Sequence, residues 1–323
     1  MNAAAPLLPI LRPRDPADPW RLHAVSLSGA VDPERIDAGA ARLRELGFTV
    51  EVPEAARGAW RYFAGTDEAR LTALEAALAS DADIVLFTRG GYGLSRLLHR
   101  IDWARVAASG KLFCGYSDVT ASSMAALAQA GYVTLAGPVL AGDFANPPDE
   151  DREFSEREWL GLLDALATGG SWQWPAFDAS GSGAPEGFVA EGPLWGTNLS
   201  MLVHLCGTPW LPRVDGGLLV LEDVGEYPYR IERMFWQLRH AGVLERQRAI
   251  ILGEFTDCRP SPGMRHPFLM DEAVEALRAI APCPVFEGFP FGHGARRVTL
   301  PMGLRARLAV RGGEARLALV GRR

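Results

Sequence analysis

Short apolar runs alternate with helical patterns through about the first 140 residues of this 323-residue chain, and that alternation restricts the fold more than any other feature. Leu22 to Ala30 reads as a strand and turn, and Asp32-Pro33-Glu34 opens a helix that runs to Gly47. Phe48-Thr-Val-Glu-Val52 is a second strand, and Asp67 to Ala79 a helix with leucines at 71, 74 and 78. Ile84-Val-Leu-Phe87 is a continuous apolar run of the kind buried on both faces of a parallel sheet. It ends in Thr88-Arg-Gly-Gly-Tyr-Gly93, with another helix expected from near Ser95. Lys111-Leu-Phe-Cys-Gly-Tyr-Ser-Asp118 then gives a buried strand and tight turn, followed by a helix closing at Gly131 and a strand at Val133-Thr-Leu135. Strands and helices in this order predict an α/β domain whose parallel sheet is covered on both faces. In such sheets ligands gather beyond the carboxyl ends of the strands. The glycine-rich turn at 89–93 and Ser117 both fall there and can share one crevice.

The pattern changes after residue 145. Asn146-Pro-Pro-Asp-Glu-Asp151 reads as a turn and charge run, Glu156 to Thr168 as one helix, and Ser180-Gly-Ser-Gly183 as a flexible turn. The expected organisation is an N-terminal domain over 1–145, a linker with one embedded helix over 146–191, and a C-terminal domain over 192–323. The last of these shows a helix from about Asn198, strands at Leu218–Leu221 and Ile250–Leu252, and a helix near Tyr229–His240. A hairpin turning at Gly312-Gly313 closes it.

A net charge of −6 supplies no basic field for nucleic acid or anionic lipid, which points to a small or peptidic substrate. Met1 to Asp18 holds four prolines and no apolar run long enough for a signal peptide or membrane span. Cys114, Cys206, Cys258 and Cys283 are far apart, so free thiols in a reducing cytoplasm are expected. No histidine or cysteine spacing suits zinc, and neither a metal nor a cofactor is expected.

Ser117 sits at a strand-to-helix corner, where an oxyanion would meet the positive end of a helix. The Gly-x-Ser-x-Gly elbow is incomplete: Gly115 fills the first glycine position, but Val119 holds the second. Helix capping by Ser-Asp is the plain alternative. A serine nucleophile needs a base. Lys111, the only lysine, begins the strand that Ser117 ends, about 20 Å away at roughly 3.3 Å per residue, which excludes a Ser–Lys dyad. Of six histidines, His99, His204 and His240 lie in helical patterns, His23 in the first strand and His266 in a proline-flanked loop. His293 lies in Phe289-Pro-Phe-Gly-His-Gly294, where glycines leave room around the imidazole. A carboxylate must hold such a histidine. Glu222 and Asp223, where a strand leaves the sheet, are both available.

Taken together, these residues resemble the LD-carboxypeptidase family of serine peptidases, which includes muramoyl-tetrapeptide carboxypeptidases and microcin-immunity proteins. The matching segments are Arg89-Gly-Gly-Tyr-Gly93, Gly115-Tyr-Ser-Asp118, Gly196-Thr-Asn-Leu-Ser200, Leu221-Glu-Asp223 and Tyr229-Arg-Ile-Glu-Arg-Met234. Gly253-Glu-Phe-Thr256, Phe291-Gly-His-Gly294 and Leu300-Pro-Met-Gly303 complete the series, in family order from about Leu22 onward. The resemblance implies an N-terminal α/β domain similar to class I glutamine amidotransferases and a smaller mixed α/β C-terminal domain. It implies Ser117 as nucleophile, His293 as general base and Glu222 as orienting carboxylate, with Asp223 the rival. Backbone N–H groups of Asp118 and Gly91 would form the oxyanion hole. Arg89, Arg230 and Arg233 are candidates to read a substrate carboxylate. Arg89 is equally suited to bracing its turn, and the other two to pairing with Glu226 or Glu232. The implied reaction releases the terminal D-alanine of peptidoglycan-derived tetrapeptides in the cytoplasm, by a homodimer.

Two segments depart from the family pattern. Leu135-Ala-Gly-Pro138 stands where His-Gly-Pro is expected, and Val25-Ser-Leu-Ser-Gly29 where an Ala-Pro-Ser-like turn is usual. Both bear on substrate more than on reaction. The competing readings are a hydrolase of peptide–nucleotide antibiotics of the microcin type and a non-catalytic muropeptide-binding protein. An amidotransferase would need a cysteine nucleophile, and Cys114 falls three residues too early.

Overall fold

The computed structural model describes residues 6–263 and 265–321. Its first half runs β1 (Arg21–Val25), α1 (Pro33–Glu45), β2 (Thr49–Glu51), α2 (Asp67–Ala79), β3 (Ile84–Phe87), α3 (Trp103–Ala108), β4 (Leu112–Gly115), α4 (Val119–Ala130), β5 (Thr134–Ala136) and α5 (Glu150–Thr168). The second half runs β6 (Phe177–Asp178), β7 (Val189–Asn198), α6 (Leu199–Leu205), β8 (Gly217–Val224), α7 (Pro228–His240), β9 (Gln247–Thr256) and α8 (Met270–Ile280). It ends with β10 (Val285–Phe286), β11 (Leu300–Met302), β12 (Arg305–Arg311) and β13 (Glu314–Leu319).

Two sheets form. The first has the order β11-β5-β4-β3-β1-β2, parallel throughout except for β11 at its edge. Every side chain of β3 and β4 is buried, which is why these strands read as unbroken apolar runs. The second sheet has the order β10-β9-β8-β7-β12-β13-β6. Here β7, β8, β9 and β10 are parallel and joined through α6, α7 and α8, while the closing hairpin adds the antiparallel part.

One connection matters most for the site. After β10 the chain leaves the second sheet, runs through residues 287–299, and enters the first as β11, where Leu300 pairs with Ala136. The segment carrying His293 is therefore anchored to both sheets.

The structure alters three expectations from the sequence. α5 begins at Glu150 rather than near Glu156, because the Asp149 carboxylate caps it by accepting from Arg152 N–H at 2.8 Å. The acidic run read as a turn is the first helical turn, where negative charge meets the positive end of the helix. No α-helix begins near Ser95; two 3₁₀ turns, Leu94–Arg96 and Leu98–Arg100, precede α3. The Leu94 N–H is drawn away to the Asp118 carboxylate at 2.9 Å, and Gly93 adopts φ +131°. Ser180–Gly183 is tied to the second sheet, with the Ser182 carbonyl accepting from Val285 N–H at 2.9 Å.

Candidate active site

Ser117 ends the turn after β4 with φ +66°. A non-glycine residue is rarely held in that left-handed region, and the strain of about 1–3 kcal/mol persists only where surrounding structure imposes it. Thr120 N–H closes the first turn of α4 on the Ser117 carbonyl at 2.9 Å. On the facing side, a Cβ at Gly90 would lie 2.7 Å from the Ser117 Cβ and 3.0 Å from its Oγ, so only bare backbone fits there. Gly91 follows with φ +102°. Among the described residues, neither the Gly91 nor the Asp118 N–H donates to another protein atom.

Asp118 does not cap α4 with its side chain. Its buried carboxylate turns back to accept from Ser28 Oγ at 2.6 Å and Leu94 N–H at 2.9 Å. The elbow is thereby locked to the turn after β1 and to the end of the glycine turn. Burial raises this carboxyl above the ordinary aspartate range, opposed by hydrogen bonds from Ser28, Leu94 and Gly93.

His293 Nδ1 and Glu222 Oε2 are 2.7 Å apart. Glu222 is fully buried, and its Oε1 has no hydrogen-bond partner among the described residues. Strand alternation places Asp223 on the opposite face of β8. There it accepts from Ser200 N–H at 2.9 Å, Ser200 Oγ at 2.7 Å and Asn198 Nδ2 at 3.2 Å, and so anchors the start of α6. Of the two acids, Glu222 is the one that meets His293. The register of β8 and β9 shifts between Leu221 and Asp223, opposite Gly253 and Glu254. A Cβ at Gly253 would come within 2.0 Å of the Phe291 carbonyl, so the glycine lets the His293 segment lie against β9. Glu254 N–H donates to that carbonyl at 2.8 Å.

Ser117 and His293 line one cleft of about 550 Å³ together with Gly90, Gly91, Arg89 and Arg35. A more apolar depression of about 380 Å³ between the end of α5 and the closing hairpin holds no nucleophile, acid or histidine. Arg89 lies at the cleft with one arm donating to the Ala30 carbonyl at 3.0 Å. Arg230 is exposed, 3.5 Å from Glu226 and stacked on Tyr227; neither it nor Arg233 lines the cleft. Lys111 Nζ is held at the amino end of β4 by the carbonyls of Ser80 at 2.6 Å and Ala82 at 3.3 Å. Burial pushes the Cys114 thiol well up, leaving it inert inside β4.

Three residues around the cleft were assigned no role from the sequence. Tyr116 packs edge-on against the His293 ring, centroids 5.0 Å apart, and burial pushes its phenol up to about 12. Arg297 lies over the Tyr116 ring, 3.7 Å from its centroid, and is paired with Asp143. Thr197, a β-branched residue at φ +108°, shares a 2.6 Å hydroxyl contact with Thr120 of α4. That contact joins the nucleophile helix to the end of β7.

Residues 22–137 match the LD-carboxypeptidase N-terminal domain, and residues 191–308 match the C-terminal domain of the same family. The chain belongs to the LD-carboxypeptidase family. It is a serine-type LD-carboxypeptidase, a hydrolase. A murein tetrapeptide carboxypeptidase of Pseudomonas aeruginosa is 33% identical, the match covering 88% of this chain and 91% of the relative. A putative carboxypeptidase of Streptomyces coelicolor is 35% identical over 93% of both chains. The microcin C7 self-immunity protein of Escherichia coli is 29% identical over 70% of each. Among solved structures, the muramoyltetrapeptide carboxypeptidase from Oxalobacter formigenes has a TM-score of 0.82 at 35% identity, covering 93% of this chain and 99% of that one. MccF in complex with glutamyl sulfamoyl guanosine has a TM-score of 0.84 at 22% identity, covering 98% and 99%, a likeness of fold.

The Asp118 carboxyl gives this LD-carboxypeptidase elbow a testable pH signature. Its native value is raised, so between the unfolded and native values the folded state holds the proton more tightly. Stability from this group is greatest below the unfolded value, near 4 for an ordinary aspartate, and is lost as pH rises through the native one. Asp118→Asn keeps an acceptor for Ser28 and Leu94 and removes the titration. Urea unfolding from about pH 4 upward should show wild type losing stability relative to the variant as pH rises. A constant or opposite difference would contradict the assignment.

Proposed function

We propose that Ser117, His293 and Glu222 form the catalytic triad, and that the reaction cuts the bond between an L-centre and the terminal D-alanine of a peptidoglycan-derived tetrapeptide. The observation that carries this reading is the Glu222–His293 hydrogen bond beside a cleft that Ser117 enters from a left-handed elbow. With Nδ1 committed to Glu222, the imidazole acts through Nε2. It takes the proton of Ser117 Oγ as that oxygen attacks the scissile carbonyl, and then protonates the departing D-alanine amine. The Gly91 and Asp118 N–H groups, unengaged by the protein, receive the oxyanion. Water activated by the same Nε2 then releases the acyl group from Ser117.

Arg89 is our candidate for reading the terminal carboxylate, since it lies at the cleft while Arg230 and Arg233 do not line it. The family relation to a murein tetrapeptide carboxypeptidase supports the substrate class. We read the elbow-bearing sheet as the class I glutamine amidotransferase type, supported by its parallel strands and the nucleophile at a strand's carboxyl end. The proposed division remains 1–145, a linker over 146–191, and 192–323. We also propose a cytoplasmic, recycling role, since four free cysteines suit a reducing compartment and the relation to a murein tetrapeptide carboxypeptidase suits recycling. The relation to a microcin self-immunity protein favours one second reading, hydrolysis of a peptide–nucleotide antibiotic.

Mass spectrometry of a muramoyl-tetrapeptide incubated with wild type and with Ser117→Ala tests the proposal. The expected result is loss of one alanine with wild type alone. An intact peptide with both proteins would overturn the substrate assignment, and cleavage by both would overturn Ser117 as nucleophile. In the same assay, amidating the terminal carboxylate should slow wild type at least tenfold and have little further effect on Arg89→Ala. An equal slowing of both proteins would remove Arg89 from that role.

A further inference from the structure

Arg297 is a buried charge that the proposed triad does not use. Its side chain is 2% exposed, and it makes contacts on three separate segments. Nε donates to the Gly292 carbonyl at 2.7 Å and Nη2 to the Gly294 carbonyl at 3.3 Å, the residues on either side of His293. Nη1 pairs with Asp143, whose other oxygen accepts from Val139 N–H at 2.8 Å. Val139, Ala141 and Gly142 line the cleft. The guanidinium plane also covers Tyr116, the residue before the nucleophile, whose ring edge meets the His293 imidazole. The Arg297 N–H itself donates to Ser155 Oγ of α5 at 2.9 Å, which fixes the backbone from which the side chain reaches. Burial alone would lower this guanidinium, but Asp143, Tyr116 and Glu222 outweigh it, so the group stays charged.

We propose that Arg297 is the positioning residue that sets His293 against the Ser117 elbow. The segment bearing His293 spans the gap between the two sheets, and hydrogen bonding of Glu222 to Nδ1 orients the imidazole without fixing where its backbone lies. Arg297 fixes that backbone by gripping both flanking carbonyls. Through Tyr116 and Asp143 it ties the same backbone to the elbow and the cleft floor. Only a planar fork of donors serves these segments at once; an ammonium would reach one or two of them. Misplacement of a base by about 1 Å costs on the order of a hundredfold in rate, so the grip is expected to act on turnover and hardly on substrate affinity.

The inference rests on Ser117 and His293 being the reacting pair, and its test separates the two. Steady-state kinetics on the tetrapeptide would compare wild type with Arg297→Lys, Arg297→Gln and Tyr116→Leu, with circular dichroism and thermal melts on each protein. The expected result is folded Arg297→Lys with kcat lowered about 30- to 300-fold and KM within about threefold of wild type. Arg297→Gln should fall further, so that the lysine partly rescues. Tyr116→Leu removes no charge and should lose about tenfold in kcat alone; it decides the matter if the Arg297 variants do not fold. A folded Arg297→Lys with kcat within threefold of wild type overturns the proposal, as does a Tyr116→Leu that turns over normally where Arg297 variants fail to fold. Turnover by Ser117→Ala would instead mark failure of the underlying triad.

Discussion

A carboxylate with no exposure to water cannot remain charged without compensation, and Glu222 has one hydrogen-bonding partner among the described residues: His293 Nδ1. Much of the structure around the cleft follows from that requirement. Leaving a buried acceptor without its donor costs about 1–3 kcal/mol or more, so the imidazole and the end of β8 are held to each other by the penalty for parting. The glycines nearby serve the same contact. Gly253 lets the His293 segment lie on β9, and Cβ atoms at Gly292 and Gly294 would strike Glu254. The result is a histidine held at the cleft with Nδ1 engaged by Glu222.

The nucleophile side is held by a different device. Ser117 occupies a left-handed conformation that its own chemistry disfavours, and the surroundings impose it. Asp118 turns its carboxylate inward to Ser28 and Leu94, at the expense of an elevated carboxyl, and Gly90 offers no Cβ where the serine must pass. Two ties then bring the halves of the site together. Thr120 and Thr197 join α4 to the end of β7, and the segment after β10 crosses from one sheet to the other to become β11. The site is a product of two sheets meeting.

The parts legible in the sequence were those decided locally. Asp67–Ala79 and Ile84–Phe87 form as their patterns predict, because leucine spacing and an unbroken apolar run each specify one kind of burial. Ser117 and His293, the proposed reacting pair, could be singled out because glycines mark the irregular backbone around each. Glu222 and Asp223 could not be separated, since their roles depend on which face of β8 looks toward the cleft. Leu94 lost its expected helix to a carboxylate from another segment. Leu300–Met302 joins the first sheet at an edge, a place where Pro301 costs no ladder hydrogen bond, and nothing nearby in sequence announces its partner. Arg296 and Arg297 are adjacent and chemically identical, yet the first is exposed beside Asp151 and the second is buried against the elbow. Only tertiary contact distinguishes them.

The proposed site depends on which acid holds His293, and proton NMR of the imidazole reads that directly. A Nδ1 proton shared with a buried carboxylate resonates far downfield of the backbone amides. Assigned through selective histidine labelling, that signal should be present in wild type, absent in Glu222→Ala, and retained in Asp223→Ala. Its survival in a folded Glu222→Ala, or its loss only in Asp223→Ala, would contradict the arrangement described.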